Sequence, residues 1–219
     1  MNILITGVAG FIGSKLANLL IKNKHNVYGV DNLWKGNIKN IPKEVFFIEG
    51  DIANQNTLDE IKKINKIDVI CHLAGQSSGE KSFYSPKIDL ELNVASTIAV
   101  IEIGKYFSVR KIINASSMSI YGDLNNAADE DNNLPIPMSI YGMNKLSSER
   151  YLSILAPEIP VINFRMFNVY GPGQCLEDLK QGMVSIYIAM ALKDSKILIK
   201  GSLDRIRDFI YIDDVINFW

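Results

Sequence analysis

A doubly wound α/β sheet with parallel strands is the fold this sequence predicts, followed by a partial second lobe. Three observations carry the prediction. Continuous apolar strand runs alternate with helical segments, a glycine turn joins the first strand to the first helix, and the pattern changes after Met166. Strands without polar alternation are buried on both faces, as in parallel sheets covered by crossover helices. The division expected is 1–166 for the sheet domain and 167–219 for the lobe.

The elements follow in order. Asn2–Thr6 is an apolar run ending at Gly7, and Phe11–Lys22 has helical spacing. Asn26–Asp31 and 45–49 read as strands, and 55–64 as an amphipathic helix before a fourth strand at 68–72. A long helix over 89–107, a strand over 111–116, a helix over 139–155 and a strand at Val161–Met166 complete the sheet domain. The Asn/Asp-rich stretch 122–137 is either a solvated loop or an active-site cover. Beyond Gly171-Pro172-Gly173, a helix at 182–192 and short strands at 197–200 and 208–212 are expected. Asp213-Asp214 is placed to cap a helix that has barely begun at Trp219, the pattern of a truncated chain.

The 219 residues are 47% apolar and 21% charged, which excludes a disordered chain, a collagen or a coiled coil. Twenty-three basic and 24 acidic side chains leave a net charge of −1, so no global field draws the chain to nucleic acid or anionic lipid. Cys71 and Cys175 make no disulfide framework and read as reduced, half-buried thiols of a cytoplasmic protein. His25 and His72 have no Cys or His at ligand spacing, so no metal site is expected. No window is long enough to cross a bilayer, and no signal peptide is expected.

Gly7-Val8-Ala9-Gly10-Phe11-Ile12-Gly13 sits between the first strand and the first helix. Gly7 makes a tight turn, Gly10 lets a diphosphate approach the backbone, and Gly13 lets helix and sheet pack closely. The helix N-terminus offers free N–H groups to the phosphates. Asp31, ending the second strand, suits a ribose diol and repels a 2′-phosphate, so NAD is expected over NADP. Asp51-Ile52, after the third strand, is placed toward the adenine. Tyr141 and Lys145 lie four apart on one helix face, where an ammonium favours the phenolate of a candidate base. Nine tyrosines make such a spacing undiagnostic alone; its weight comes from the upstream glycine turn and from Ser117 on the preceding strand.

Together these residues resemble the extended short-chain dehydrogenase/reductase family, among its nucleotide-sugar epimerases and dehydratases, whose core is a Rossmann sheet. The likeness continues through Asp31-Asn32-Leu33, Gly50-Asp51-Ile52, His72-Leu73-Ala74-Gly75, Asn93, Ala115-Ser116-Ser117, Tyr121-Gly122, Arg165 to Gly173 and Arg207-Asp208-Phe209-Ile210. It implies cofactor contacts from Gly7, Gly10, Phe11, Ile12, Gly13, Asp31, Asn32, Asp51, Ile52, Leu73, Ala74, Gly75, Asn93, Lys145 and Phe167. Ser117, Tyr141 and Lys145 would be catalytic, and Ser117, Tyr141, Asn168 and Arg207 would hold substrate. Asn168 also suits a turn cap and Arg207 a surface ion pair. The resemblance further implies a homodimer through a four-helix bundle of 89–107 and 139–155 with their symmetry mates.

Met118 and Ser119 stand where the family's 4,6-dehydratases carry an Asp-Glu pair, and neither can do acid/base work at C5 and C6. The resemblance therefore implies 4-epimerisation of a nucleotide-diphosphate sugar, with UDP favoured, by oxidation and re-reduction at one carbon. An NAD-dependent dehydrogenase or reductase and a non-catalytic dinucleotide-binding module remain the alternatives. Ser77, in place of a lysine, and Gly182-Met183-Val184-Ser185, in place of an Asn-containing stretch, leave the sugar open.

Overall fold

The computed structural model describes residues 1–219 except 125, 178–181, 194–195, 200–201 and 205. The chain forms two compact units, Met1–Arg165 and Met166–Trp219. The first is built on β1 (Asn2–Thr6), α1 (Phe11–Lys22), β2 (Asn26–Asp31), β3 (Phe46–Glu49), α2 (Gln55–Lys62) and β4 (Val69–His72). Two short helices, α3 (Gly79–Tyr84) and α4 (Pro86–Leu90), lead through one π turn, Glu91–Ala95, into α5 (Ser96–Phe107). Strand β5 (Lys111–Ser117), helix α6 (Ile140–Leu155) and strand β6 (Val161–Met166) follow.

The six strands are ordered β3-β2-β1-β4-β5-β6, and β3 through β5 pair in parallel. The chain winds outward from β1 to β3 and then returns to place β4 on the other side of β1. At that reversal the loops leaving β1 and β4 diverge and open a crevice at the strands' C-terminal ends. Apolar runs on β1, β4 and β5 supply Leu4, Ile70 and Ile112, which pack with Ile61, Ile103 and Leu152 from α2, α5 and α6. Each side chain of this size contributes about 1.5–3 kcal/mol on full burial, enough to hold the crossovers against the sheet.

The long helix expected over 89–107 is instead a sequence of α4, the π turn and α5. Hydroxyls explain the break. Ser96 Oγ donates to Leu92 O at 2.6 Å and Thr97 Oγ1 to Asn93 O at 2.7 Å. Such back-bonding competes with the α-helical ladder.

The second unit contains β7 (Asn168–Tyr170), α7 (Met183–Leu192), β8 (Phe209–Tyr211) and α8 (Ile212–Phe218), with β7 and β8 paired in parallel. Strand β7 has no counterpart in the sequence reading. The strand expected at 197–200 does not form at Ile197–Ile199, whose side chains are exposed and find no partner strand among the described residues; Lys200 lies outside those residues. Asp213 and Asp214 occupy the first turn of α8 rather than its cap, which falls at Tyr211. Their charge still suits the positive end of the helix. Neither cysteine is half-buried: Cys71 is buried in β4, where desolvation pushes its thiol up to about 12, and Cys175 is exposed. No described helix is long and apolar enough to cross a membrane.

Candidate active site

The turn after β1 is shaped by steric necessity. Gly7 has φ +74°, and a Cβ there would lie 2.7 Å from Ala74 N. A Cβ on Gly13 would collide with the Gly7 carbonyl, so α1 approaches the strand only because position 13 is bare. Gly10 meets nothing comparable from the protein, and its open side faces the crevice.

The crevice is lined by Gly7, Gly10, Asp31, Asn32, Asp51, Ile52, Leu73, Ala74 and Gly75, nine of the residues the sequence singled out. Val30, Trp34, Lys35, Gly36, Gly50, Leu92 and Ser96 complete it. Trp34 to Gly36 follow Asp31 directly, and that proximity was the available signal for them. Phe11 and Ile12 lie in the first turn of α1, outside the lining set, while Gly13 and Asn93 are buried beneath it.

Asp31 is held rather than free. Its Oδ2 accepts from Ala9 N at 2.9 Å and its Oδ1 from Leu33 N at 2.8 Å. Burial raises its carboxyl above the ordinary range, and the two backbone donors oppose that. Gly36 packs so closely that a Cβ would lie 2.9 Å from Oδ1. Asp51 accepts from Ala53 N at 2.9 Å and from Asn32 Nδ2 at 3.0 Å, which fixes the loop after β3.

Helix α6 delivers the second half of the site. Ser139 caps it, its Oγ accepting from Gly142 N at 3.0 Å, and Tyr141 and Lys145 follow on one buried face. Ser117, at the end of β5, lies near enough to the Tyr141 phenol to favour its ionised form. Lys145 Nζ donates to Ala115 O at 2.9 Å and lies 5.9 Å from the Tyr141 ring centre. Gly75 links the two halves: it lines the crevice, and a Cβ on it would be 3.3 Å from Lys145 Nζ.

The electrostatics depart from the expectation that the ammonium alone frees a phenolate. Burial pushes Tyr141 up to about 12, with Ser117 opposing and the charge of Asp89 adding. Burial likewise pulls Lys145 down to about 8, against the carboxylates of Asp89 and Glu149. Four-residue spacing places the two groups together, but it says nothing of how little water reaches them.

A relay of hydroxyls underlies the crevice. Thr6 Oγ1 accepts from Ala74 N at 3.1 Å and bonds His72 Nδ1 at 2.7 Å; His72 Nε2 meets Thr97 Oγ1 at 3.1 Å. Thr97 donates its own hydrogen to Asn93 O at 2.7 Å, so its oxygen accepts from His72, the neutral Nε2–H tautomer. Burial and the Lys145 charge, which press the imidazole down to about 3, agree. Asn93 Nδ2 donates to Gln76 O and Asp89 O, both at 3.1 Å, while its buried Oδ1 has no partner among the described residues. Gly75 faces that oxygen, since a Cβ there would be 2.6 Å away.

Phe167, Asn168 and Arg207 belong to the second unit. Asn168 Nδ2 donates to Asp208 O at 2.7 Å, tying β7 to the start of β8, and Arg207 is exposed with one N–H on Ile206 O at 2.8 Å.

A bare glycine turn under an open crevice, an acidic residue at the second strand and a Ser–Tyr–Lys cluster behind Gly75 are the features of a dinucleotide-binding enzyme. The chain belongs to the NAD dependent epimerase/dehydratase family, whose model matches residues 3–219. A putative UDP-glucose 4-epimerase of Methanocaldococcus jannaschii is 35% identical over 216 residues, covering 97% of this chain and 70% of the relative. The crystal structure of the Thermotoga maritima UDP-glucose 4-epimerase with UDP-glucose matches with TM-score 0.94 and 33% identity over 99% of this chain and 71% of that one. The Bacillus cereus UDP-glucuronic acid 4-epimerase, in complex with UDP-glucuronic acid and NAD, matches with TM-score 0.87 and 34% identity over 99% and 71%. The cofactor is NAD, and the crevice fits it: a bare cradle at Gly10 for phosphates and a held carboxylate at Asp31 for a ribose diol.

Proposed function

We propose that this protein is a 4-epimerase of a UDP-hexose. The observation that carries the reading is the buried pairing of Tyr141 with Lys145, 5.9 Å from its ring centre, beneath the end of β5 and reached from the cofactor crevice through Gly75. Met118 and Ser119 after Ser117 leave no second acid/base pair for dehydration. The relatives' substrates, UDP-glucose and UDP-glucuronic acid, supply the UDP.

Tyr141 takes the proton of the 4-hydroxyl and later returns one, while Ser117 holds that oxygen. NAD, when bound, supplies a reversible hydride acceptor. Lys145 fixes the nicotinamide ribose, and its charge stabilises the phenolate once the proton has left. Gly7, Gly10, Phe11, Ile12 and Gly13 seat the diphosphate of the cofactor, Asp31 and Asn32 its ribose, Asp51 and Ile52 its adenine. Leu73, Ala74, Gly75, Asn93 and Phe167 enclose the remainder. Asn168 and Arg207, from the second unit as substrate lobe, hold the diphosphate of the sugar nucleotide; a guanidinium suits bidentate phosphate contacts.

The test is a screen of UDP-hexoses with catalytic NAD. Interconversion of C4 epimers without net change in nicotinamide absorbance is expected. Stoichiometric reduction of the cofactor would make the protein a dehydrogenase instead, and a protein that binds NAD but converts no sugar nucleotide would be a binding module.

The proposal includes a homodimer acting in the cytoplasm. Ile98 and Tyr106 on α5 and Met143, Tyr151 and Ile154 on α6 are exposed apolar side chains, suited to a bundle with a second copy. Sedimentation at micromolar concentration is expected to give twice the chain mass; a monomer there refutes the bundle.

A further inference from the structure

Asp89 is buried in α4 beside the cluster and plays no part in the chemistry above. Both its oxygens are engaged by neutral amides: Oδ1 accepts from Gln76 Nε2 at 2.6 Å and Oδ2 from Asn144 Nδ2 at 2.7 Å. Gln76 is itself locked, donating to Ser78 O and accepting from Ser78 N. Asn144 occupies the turn of α6 between Tyr141 and Lys145. The carboxylate has no ion-pair partner within salt-bridge distance among the described residues. A buried charge held only by amides costs stability, so its retention calls for a purpose.

We propose that Asp89 is a positioning residue of the reaction: a fixed countercharge, anchored by Gln76 and Asn144, that keeps the buried Lys145 an ammonium and sets the ionisation of Tyr141. The proposal rests on the epimerase reading only for its kinetic arm. The ionisable groups facing this region are Tyr141, Lys145 and Glu149 of α6 and His72 of β4. Glu80, Lys87 and Glu91 are exposed, and Lys81 is partly so. Glu149 is already paired with Arg165 at 2.8 Å and His72 is neutral, so Asp89 is the unpaired negative charge near the pair. Its field raises both Lys145 and Tyr141. Removing it therefore lowers both: the ammonium is lost at lower pH, and the phenol ionises at lower pH.

The experiment compares the holoenzyme with Asp89→Asn and Asp89→Ser. In Asp89→Asn the new amide offers oxygen to Gln76 and nitrogen to an inverted Asn144 amide, so packing is preserved. Nitrogen-15 NMR of labelled lysine side chains, with Lys145→Met as the assignment control, reads the ammonium without reference to turnover. The Lys145 midpoint is expected to move down from its value near 8 by about one pH unit, so that half-ionisation comes at about tenfold higher proton concentration. The kcat/KM profile against pH is expected to move to the acid side on both limbs. A folded variant with an unmoved lysine midpoint overturns the proposal, as does failure of both variants to fold, which would make Asp89 a structural requirement alone. A shifted midpoint in a protein that epimerises nothing would remove the epimerase reading and leave Asp89 as the countercharge of Lys145 alone.

Discussion

Replacing Tyr141 by phenylalanine is expected to cut turnover by roughly 10²–10⁴-fold, while NAD stays bound at its original stoichiometry. The ring is buried and keeps its packing; only the phenol oxygen, to which the proposed mechanism gives the proton exchange, is lost. Ser117 would retain its bond from Ser119 N at 3.1 Å, so the end of β5 should hold its place. Steady-state kinetics with assay of the cofactor released on denaturation separates the effects. Unchanged turnover would remove Tyr141 from the mechanism. Loss of NAD together with activity would give the phenol a binding role instead.

Replacing Arg165 by methionine should produce the largest loss of stability. Its Nε and one terminal nitrogen clasp Glu149 at 3.1 and 2.8 Å, and the other terminal nitrogen donates to Tyr121 Oη at 2.9 Å. The Ser116 hydroxyl also donates to Glu149. The cluster therefore ties β5, α6 and β6 together one residue from Ser117. Without the guanidinium, a buried carboxylate keeps only a hydroxyl, at a cost of about 3–5 kcal/mol, or a fall in the melting midpoint of about 10 °C. Adding Glu149→Gln should recover much of that loss by removing the stranded charge. A melting midpoint within about 1 °C of the parent would mean that Arg165 contributes no net stability.

Local pattern and long-range packing divide what could be read beforehand. Strands β1, β2 and β6 and helix α1 run where their apolar periodicity ends, because each is bounded by a turn residue adjacent in sequence. The site's outline was legible for the same reason: the glycines, Asp31, Ser117, Tyr141 and Lys145 sit at strand ends or on one helix face. Strand β7 was not, since three residues paired with β8 forty positions later carry no local signature. The hydrophobic run Ile197–Ile199 misled in the opposite direction, since it has apolar character but no partner among the described residues. The carboxylate of Asp89 escaped notice because its partners, Gln76 and Asn144, lie 13 and 55 residues away. Spacing also misjudged the phenol, since it places a cation near but gives no account of desolvation.

The π turn at Glu91–Ala95 gathers three hydroxyls around one carbonyl: Thr97 donates to Asn93 O at 2.7 Å, while Ser148 at 3.0 Å and Ser96 at 3.2 Å share their hydrogens between it and the carbonyls of Asn144 and Leu92. Its wider coil sets the angular phase between α4 and α5. Inserting a further residue there, beyond the one extra residue the wider turn already absorbs, would rotate everything upstream by about 100°. Asp89 would then swing off the face it shares with Asn144, although no side chain of the pair had been altered. This stretch therefore tolerates exchange of residue type far better than any lengthening.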